Sequence, residues 1–536
     1  MDNVVQSLPP VMECSTTWFV RRSPYMVHAA IAAVVEVRQH MSATETEAPA
    51  SGAVRTSDLL IAGEHVAARD GRYFETTEAL TGEPIARVAA ASVEDVNLAV
   101  DAAAAALPEW SNLPPAARRS VLERAAVLLG ERTDDIVATM SREMGATLPW
   151  CGFNVHVAKG MLVEAAAQAY AAVGEVIPSD VPGLTALGVR QPVGVVVGIA
   201  PWNAPLILGV RSIVWPLVWG NTVVLKSSEQ TPLTQAAIVQ VLHDAGVPAG
   251  AVNLISNARE DGPSVVEALI AHRAVTRVNF TGSSRVGRII GELGGRHLTR
   301  VVLELGGKAP FLVLPDADLE EAAAAASFGA FMNQGEICMS TERVIVDRTV
   351  ADELSYRLAE RAAKLVVGPP SDPASQIGPL VHAAARDHVV ALIEDARAKG
   401  AQVLAGGTAD GLFVRPTVLR GVTPDMRIYT EETFGPVVSI IEVDSTDEAV
   451  EVANDTEYGL SAAVFGKDAA AALDVARRIR SGICHINGAT VHDEPQMPFG
   501  GVGASGWGRF GSRAALEEFT ELRWITIQSG SRHYPI

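Results

Sequence analysis

Beyond Ser57 the apolar positions follow two alternating rhythms. Ala90 to Trp110 and Ala116 to Glu143 place apolar residues every three to four positions, which predicts amphipathic helices. Short β-branched runs then recur: Val195 to Ala200, Thr222 to Lys226, Val252 to Ile255, Arg277 to Phe280 and Arg300 to Leu303. Helix-like stretches separate them, and two open on Pro205 and Thr231-Pro232, where proline suits a first turn. Strand–helix alternation at this spacing predicts an α/β fold with a parallel, doubly wound sheet. A second α/β stretch runs from about Ala309 to Gly503, and the tail from Leu522 to Gln528 alternates like an edge strand. Val193 to Leu225 is very apolar, but Pro201, Asn203, Pro205, Arg211 and Pro216 interrupt it. A membrane-spanning helix needs about 20 mostly apolar residues, so buried parallel strands account for the run better.

The first 55 residues do not share this pattern. Arg21-Arg22 followed by Tyr25 to Val35 faintly resembles an export signal, but His28 and Glu36 weaken it and no small-residue cleavage site follows. Met41 opens a polar stretch, Ser42 to Ala53. Residues 1–55 read as a disordered extension, or as a mis-assigned one with translation truly beginning at Met41.

Composition narrows the function. The 536 residues are 48% hydrophobic and 20% charged, enough for two or three domains. A net charge of −19 gives no broad electrostatic reason to bind nucleic acid or an anionic membrane. Cys14, Cys151, Cys338 and Cys484 form no CxxC pair, and the 12 histidines show no HExxH spacing. No metal site or disulfide framework is expected, and reduced thiols suit a cytoplasmic setting.

Several segments can carry chemistry, each with an ordinary alternative. Cys338, in Phe331-Met-Asn-Gln-Gly-Glu-Ile-Cys-Met-Ser-Thr341, is placed at the end of a predicted helix and is either a buried structural cysteine or a nucleophile. A thiolate adduct makes an aldehyde carbon tetrahedral, which hydride loss requires, and the resulting thioester can be hydrolysed. Glu304, at the strand end Val302-Leu-Glu-Leu-Gly-Gly-Lys308, is either a water-activating base or a partner of Lys308. Asn203 could aim its amide at an oxyanion, cap the following helix, or both. Lys226 and Glu229 stand at the carboxyl end of a strand, where open α/β sheets bind nucleotides, or form a surface ion pair. An ionised Glu229 would repel a 2′-phosphate, which favours NAD over NADP. Gly282 and Ser283 begin a helix whose free N–H groups could meet a pyrophosphate, although the glycines of Asn279 to Gly287 are not spaced as GxGxxG. Glu432 offers a carboxylate for a second ribose, Phe434 could pack near a nicotinamide, and Pro498 to Gly506 is a glycine-rich loop.

In order and spacing, these segments together resemble the aldehyde dehydrogenase superfamily from about Ser57 to Gln528. The resemblance implies Cys338 as nucleophile, Glu304 as general base, and Asn203 with the Cys338 amide as oxyanion hole. It implies that Trp202, Lys226, Glu229, Gly282, Ser283, Gly287, Leu305, Glu432 and Phe434 surround the dinucleotide. It also implies three parts: an NAD-binding domain (56–171 and 192–306), a catalytic domain (307–514) and bridging elements (172–191 and 515–536) that make a homodimer or homotetramer. An acylating relative passing its acyl group to coenzyme A would not need Glu304, so hydrolysis is expected.

Gly188 to Val193, Leu206 to Arg211, Cys338 to Arg343 and Ile486 to Phe499 are similar, more narrowly, to the benzaldehyde, vanillin and salicylaldehyde dehydrogenases. Arg211 follows Asn203 by eight residues, about two helical turns, so both can face one side. It is expected to meet a polar ring substituent or a carboxylate, or else to form a salt bridge within the fold. Many relatives carry an aromatic residue and then Lys at positions 211 and 212, and a proton-relaying Glu where this chain has Phe510. Glu336, two before Cys338, would oppose thiol ionisation if it faced the sulfur, so it is expected to point away. A semialdehyde dehydrogenase, with Arg211 clamping a distal carboxylate, is the enzymatic rival, and a non-catalytic binding protein descended from a dehydrogenase is the other.

Overall fold

The computed structural model describes residues 54–536, and the readings made of the preceding segment lie outside the described residues. The β-branched runs form the middle of an eight-stranded sheet. Its order is Gly506–Trp507, Arg300–Glu304, Val275–Thr281, Val195–Ile199, Thr222–Lys226, Val252–Ile255, Leu59–Ile61 and Glu64–Val66. The five central strands are parallel and the edges antiparallel. Val195–Ile199 is fully buried because both of its faces are covered. Val196 belongs to the core shared with the helix Pro205–Val218, whereas Val195, Val197 and Ile199 pack towards Val96, Ala99 and Val100 of the helix Val93–Asn112. That is the period-2 alternation of a strand between two layers. The apolar run from Val193 thus resolves into strand, helix and strand, and every residue of the helix is buried. No helix among the described residues is long and apolar enough to cross a membrane.

From Val195–Ile199 the chain winds one way through Thr222–Lys226 and Val252–Ile255, then returns to add Val275–Thr281 on the other side. The direction of winding therefore reverses between Val195–Ile199 and Val275–Thr281, and open α/β sheets leave a ligand crevice at such a reversal.

After Glu304 the chain crosses to a seven-stranded sheet ordered Gln402–Ala405, Thr417–Arg420, Val437–Val443, Thr341–Asp347, Ala309–Val313, Ser461–Phe465 and Ile483–Ile486. All its pairs are parallel except the first. The tail strand Thr520–Gln528 pairs antiparallel with Leu184–Pro192 over nine residues, and Glu175–Ile177 completes a three-stranded sheet. The tail is an edge strand, as its alternation predicts.

Two helical readings change. Ala116 to Glu143 is two helices, Pro115–Glu131 and Thr133–Met144, broken at Arg132. Cys338 does not end a helix. It follows Leu319–Phe331 and a short turn, Met332–Gly335, in the loop that leads to Thr341–Asp347.

Candidate active site

A cleft of about 730 Å³ opens at the reversal of the first sheet, within the size range of small-molecule sites. Trp202 borders it after one strand, Lys226 and Glu229 after the next, and Gly282 and Ser283 after the third. Lys226 is buried and ion-paired with Glu229, so the pair is not an exposed surface bridge. Asn257 Nδ2 donates to Glu229 Oε1 at 3.1 Å. Burial opposes ionisation of Glu229, but the Lys226 ammonium outweighs it and holds the carboxyl below its ordinary value. Ser283 caps the helix Ser284–His297, its hydroxyl accepting from the Val286 amide at 3.4 Å. Gly287 and Leu305 do not border the cleft. The Leu305 side chain packs onto Gly287, holding helix against strand end.

Cys338 lies on a constrained loop. Asn333, Gln334 and Gly335 all have positive φ (48°, 54° and 73°), which costs energy for the two residues that are not glycine. Side chains hold them there: Gln334 donates to Pro379 O at 3.2 Å and accepts from the Gly378 amide at 3.1 Å. Asn333 Nδ2 contacts Asn203 O at 3.3 Å. Gly335 has no alternative, since a Cβ there would stand 2.1 Å from Gly435 O. A Cβ on Gly307 would likewise stand 2.4 Å from Cys338 O, so the crossing strand and the loop touch only because position 307 is bare.

Asn203 does not cap the helix that follows; Ala204 is the cap and no side chain serves it. Asn203 Nδ2 instead donates to Glu336 O at 3.0 Å, leaving its second amide hydrogen for a ligand. The Cys338 amide makes no hydrogen bond to any of the described residues. Asn203 and Cys338 border the same narrow slot, so two donors are available to one oxyanion.

Glu304 is 1% exposed and neither carboxylate oxygen has a firm hydrogen-bond partner. Burial pushes its carboxyl up to about 7, and the Arg211 guanidinium pulls against that. It is not paired with Lys308, whose ammonium binds Glu342 at 2.6 Å. Burial also pushes the Cys338 thiol up, and the adjacent Glu304 carboxylate adds to this. Glu304 is thus a carboxyl poised near neutrality beside a thiol that needs a base. Glu336 points away, accepting from the Val381 amide at 3.2 Å.

Trp150, Phe153, Ile207, Leu208, Met339, Val491 and Phe499 form apolar walls around Cys338. Arg211 lines the slot, 2% exposed, as expected from its helical spacing to Asn203. It is also salt-bridged within the fold, to Asp493, and its guanidinium lies 4.1 Å from the centre of the Phe499 ring. Its Nη1 has no partner. Phe510 fills the far side, 5.9 Å from the guanidinium.

Phe434 packs edge-on against Trp202, which borders the cleft, their centroids 5.9 Å apart. Glu432 Oε1 accepts from the Gly307 amide at 2.9 Å, and burial pushes that carboxyl up to about 7. Of the residues named from the sequence, Trp202, Lys226, Glu229, Gly282 and Ser283 thus line the cleft and Asn203, Arg211 and Cys338 the slot, while Gly287 and Leu305 border neither. Asp493, Trp150 and Phe153 were not singled out by sequence. Asp493 sits inside the Ile486 to Phe499 similarity, but nothing local indicates a partner 282 residues away.

The aldehyde dehydrogenase family model matches residues 65–525. A vanillin dehydrogenase of a Pseudomonas species is 58% identical over 478 residues, spanning 89% of this chain and 99% of its own. A benzaldehyde dehydrogenase [NAD(+)] of Pseudomonas putida is 41% identical over 467 residues, 87% of this chain and 95% of its own. The crystal structure of a salicylaldehyde dehydrogenase from Pseudomonas putida complexed with salicylaldehyde aligns with a TM-score of 0.88 at 42% identity, covering 90% of this chain and 100% of that one.

Proposed function

Because the chain belongs to the aldehyde dehydrogenase family, we propose that it oxidises an aromatic aldehyde, of the benzaldehyde, vanillin or salicylaldehyde kind, to the carboxylic acid with NAD as acceptor. The observation that carries the aromatic reading is the Arg211–Asp493 pair in a slot walled by aromatic and aliphatic side chains. Asp493 already neutralises Arg211, so a distal carboxylate would enter a buried site as an uncompensated anion. The unpartnered Nη1 instead offers one donor to a phenol or methoxy oxygen. This weighs against the semialdehyde rival, and the convergence of Cys338, Glu304 and Asn203 weighs against a non-catalytic protein.

Members of the family use NAD or NADP. The residues present fit such a dinucleotide: Lys226 and Glu229 for the adenosine ribose, Gly282 and the Ser283-capped helix end for the pyrophosphate, Trp202, Glu432 and Phe434 for the nicotinamide half. When bound there it supplies the acceptor for the hydride that the substrate carbon gives up. Ionised Glu229 supports NAD over NADP, while Arg259 and Arg285 also border the cleft and soften the discrimination. The expected ratio of kcat/KM is about tenfold in favour of NAD, roughly one charge–charge contact; parity between the two would reverse the preference.

In the chain's own chemistry, Cys338 Sγ bonds to the aldehyde carbon as its proton passes towards Glu304. Asn203 Nδ2 and the Cys338 amide hold the oxygen that becomes negative. Loss of hydride from that carbon leaves an acyl thioester on Cys338. Once Glu304 has released that proton to solvent, it takes another from water, whose oxygen displaces the sulfur as a thiolate; the carboxylic acid departs and the thiolate takes up a proton again.

We also read residues 56–171 with 192–306 as the nucleotide domain and 307–514 as the catalytic domain. The sheet of 172–191 and 515–536 then bridges copies of the chain in a homodimer or homotetramer. Val176 and Trp524 are 77% and 73% exposed on that sheet, a surface another copy could cover.

A panel of benzaldehyde, vanillin, salicylaldehyde and succinate semialdehyde, read by NADH absorbance, tests the function. The aromatic aldehydes should lead in kcat/KM by about 100-fold, the scale of one unpaired buried charge; semialdehyde preference would defeat the aromatic assignment. Arg211→Ala should raise KM for vanillin about tenfold more than for benzaldehyde, one charge-assisted bond. Equal effects would return Arg211 to a purely structural role.

A further inference from the structure

We propose that Lys308 and Glu342 are positioning residues that set the nicotinamide end of the cleft, by pinning the turn that carries Glu432 and Phe434. The proposal rests on the nucleotide reading above. Lys308 and Glu342 each stand four residues beyond a reacting group, Glu304 and Cys338 respectively. Both are buried, and the ammonium meets Glu342 Oε2 at 2.6 Å.

An ion pair that served only the core would satisfy its remaining valences on the strands that bear it. Here those valences go to one distant turn. Lys308 Nζ donates to Glu431 O at 2.6 Å and to Thr433 Oγ1 at 3.1 Å. Glu342 Oε1 accepts from the amides of Thr433 at 2.9 Å and Phe434 at 3.3 Å. Phe434 needs such restraint, because it holds a φ of 48° that side chains other than glycine rarely adopt. The same turn directs Glu432 to the Gly307 amide and Phe434 onto Trp202. One buried pair therefore ties the strands that follow base and nucleophile to the wall where hydride must be accepted.

The full-length double variant K308M/E342L removes the tether while leaving a similar apolar volume, a replacement that folds commonly tolerate. The expected result is a Tm close to that of wild type and an unchanged Kd for ADP-ribose. NAD affinity and kcat should both fall, kcat roughly 10- to 100-fold, the usual cost of loosening an outer support. The aldehyde KM should stay put. E342Q keeps an acceptor for the two amides and should lose only about three- to tenfold in NAD affinity, again with ADP-ribose unaffected; it carries the test if the double variant does not fold. Variants whose NAD affinity and kcat stay within twofold of wild type would overturn the proposal. So would ADP-ribose affinity that falls together with Tm, which marks a merely structural pair. A wild-type protein that binds neither nucleotide would overturn the nucleotide reading and this proposal together.

Discussion

Replacing Cys338 by alanine is expected to reduce aldehyde oxidation by about 10⁴-fold or more, the scale on which removal of a covalent nucleophile acts. Among the described residues no other thiol can substitute. Cys151 is buried in the helix Leu148–Ala167, where burial pushes its thiol up, and Cys484 lies on the strand Ile483–Ile486 of the second sheet. Nucleotide binding should survive, because Cys338 does not border the cleft that Lys226 and Ser283 line. Isothermal titration with NAD would check that half, and NADH absorbance the other. Wild-type protein mixed with aldehyde and NAD, then quenched in acid, should carry an acyl mass on the peptide bearing residue 338. Product accumulating from the alanine variant at more than a tenth of the wild-type rate would remove sulfur from the reaction.

The parallel strands were legible because each is a β-branched run buried on both faces; Thr222–Lys226 and Val252–Ile255 begin and end where the pattern places them. The break at Arg132 was not, because apolar spacing continues through it while the backbone there turns to φ −101° and ψ 15°. Leu148–Ala167 escaped notice for a different reason. It is buried on several sides, including Trp150, Cys151, Asn154 and Val155, so it shows no single apolar stripe. In the site, Cys338, Glu304 and Asn203 each sit in a short motif and could be named from it. What each motif leaves open is the partner. Lys308 is close to Glu304 in sequence yet binds Glu342, and Arg211 finds Asp493 across 282 residues. The positive φ of Asn333 and Gln334 carries no sequence mark, since neither is glycine; the Pro379 and Gly378 contacts that impose it come from another segment.

Glu304→Gln should separate the two halves of the reaction. The amide keeps the shape of the carboxyl but cannot take a proton, so attack by water on the thioester loses its base. Steady turnover should fall about 10²- to 10⁴-fold, the range for loss of a general base. The first turnover should persist as a burst of NADH whose amplitude equals the enzyme concentration, since thioester formation precedes the hydrolytic step. The burst should form more slowly, because the thiol must give its proton to water instead. The pH dependence supplies a second signature. Burial raises the Glu304 carboxyl to about 7, and it works only when deprotonated, so the wild-type steady-state rate should climb through that pH and level off above it. The Gln variant has nothing to titrate there and should lose the limb. The Arg211 guanidinium pulls the same carboxyl downward, so removing its charge should move the limb to higher pH. Equal loss of burst and steady rate in Glu304→Gln, or a limb that persists in it, would assign the water-activating proton to another group and leave Glu304 as a buried carboxyl beside the nucleophile.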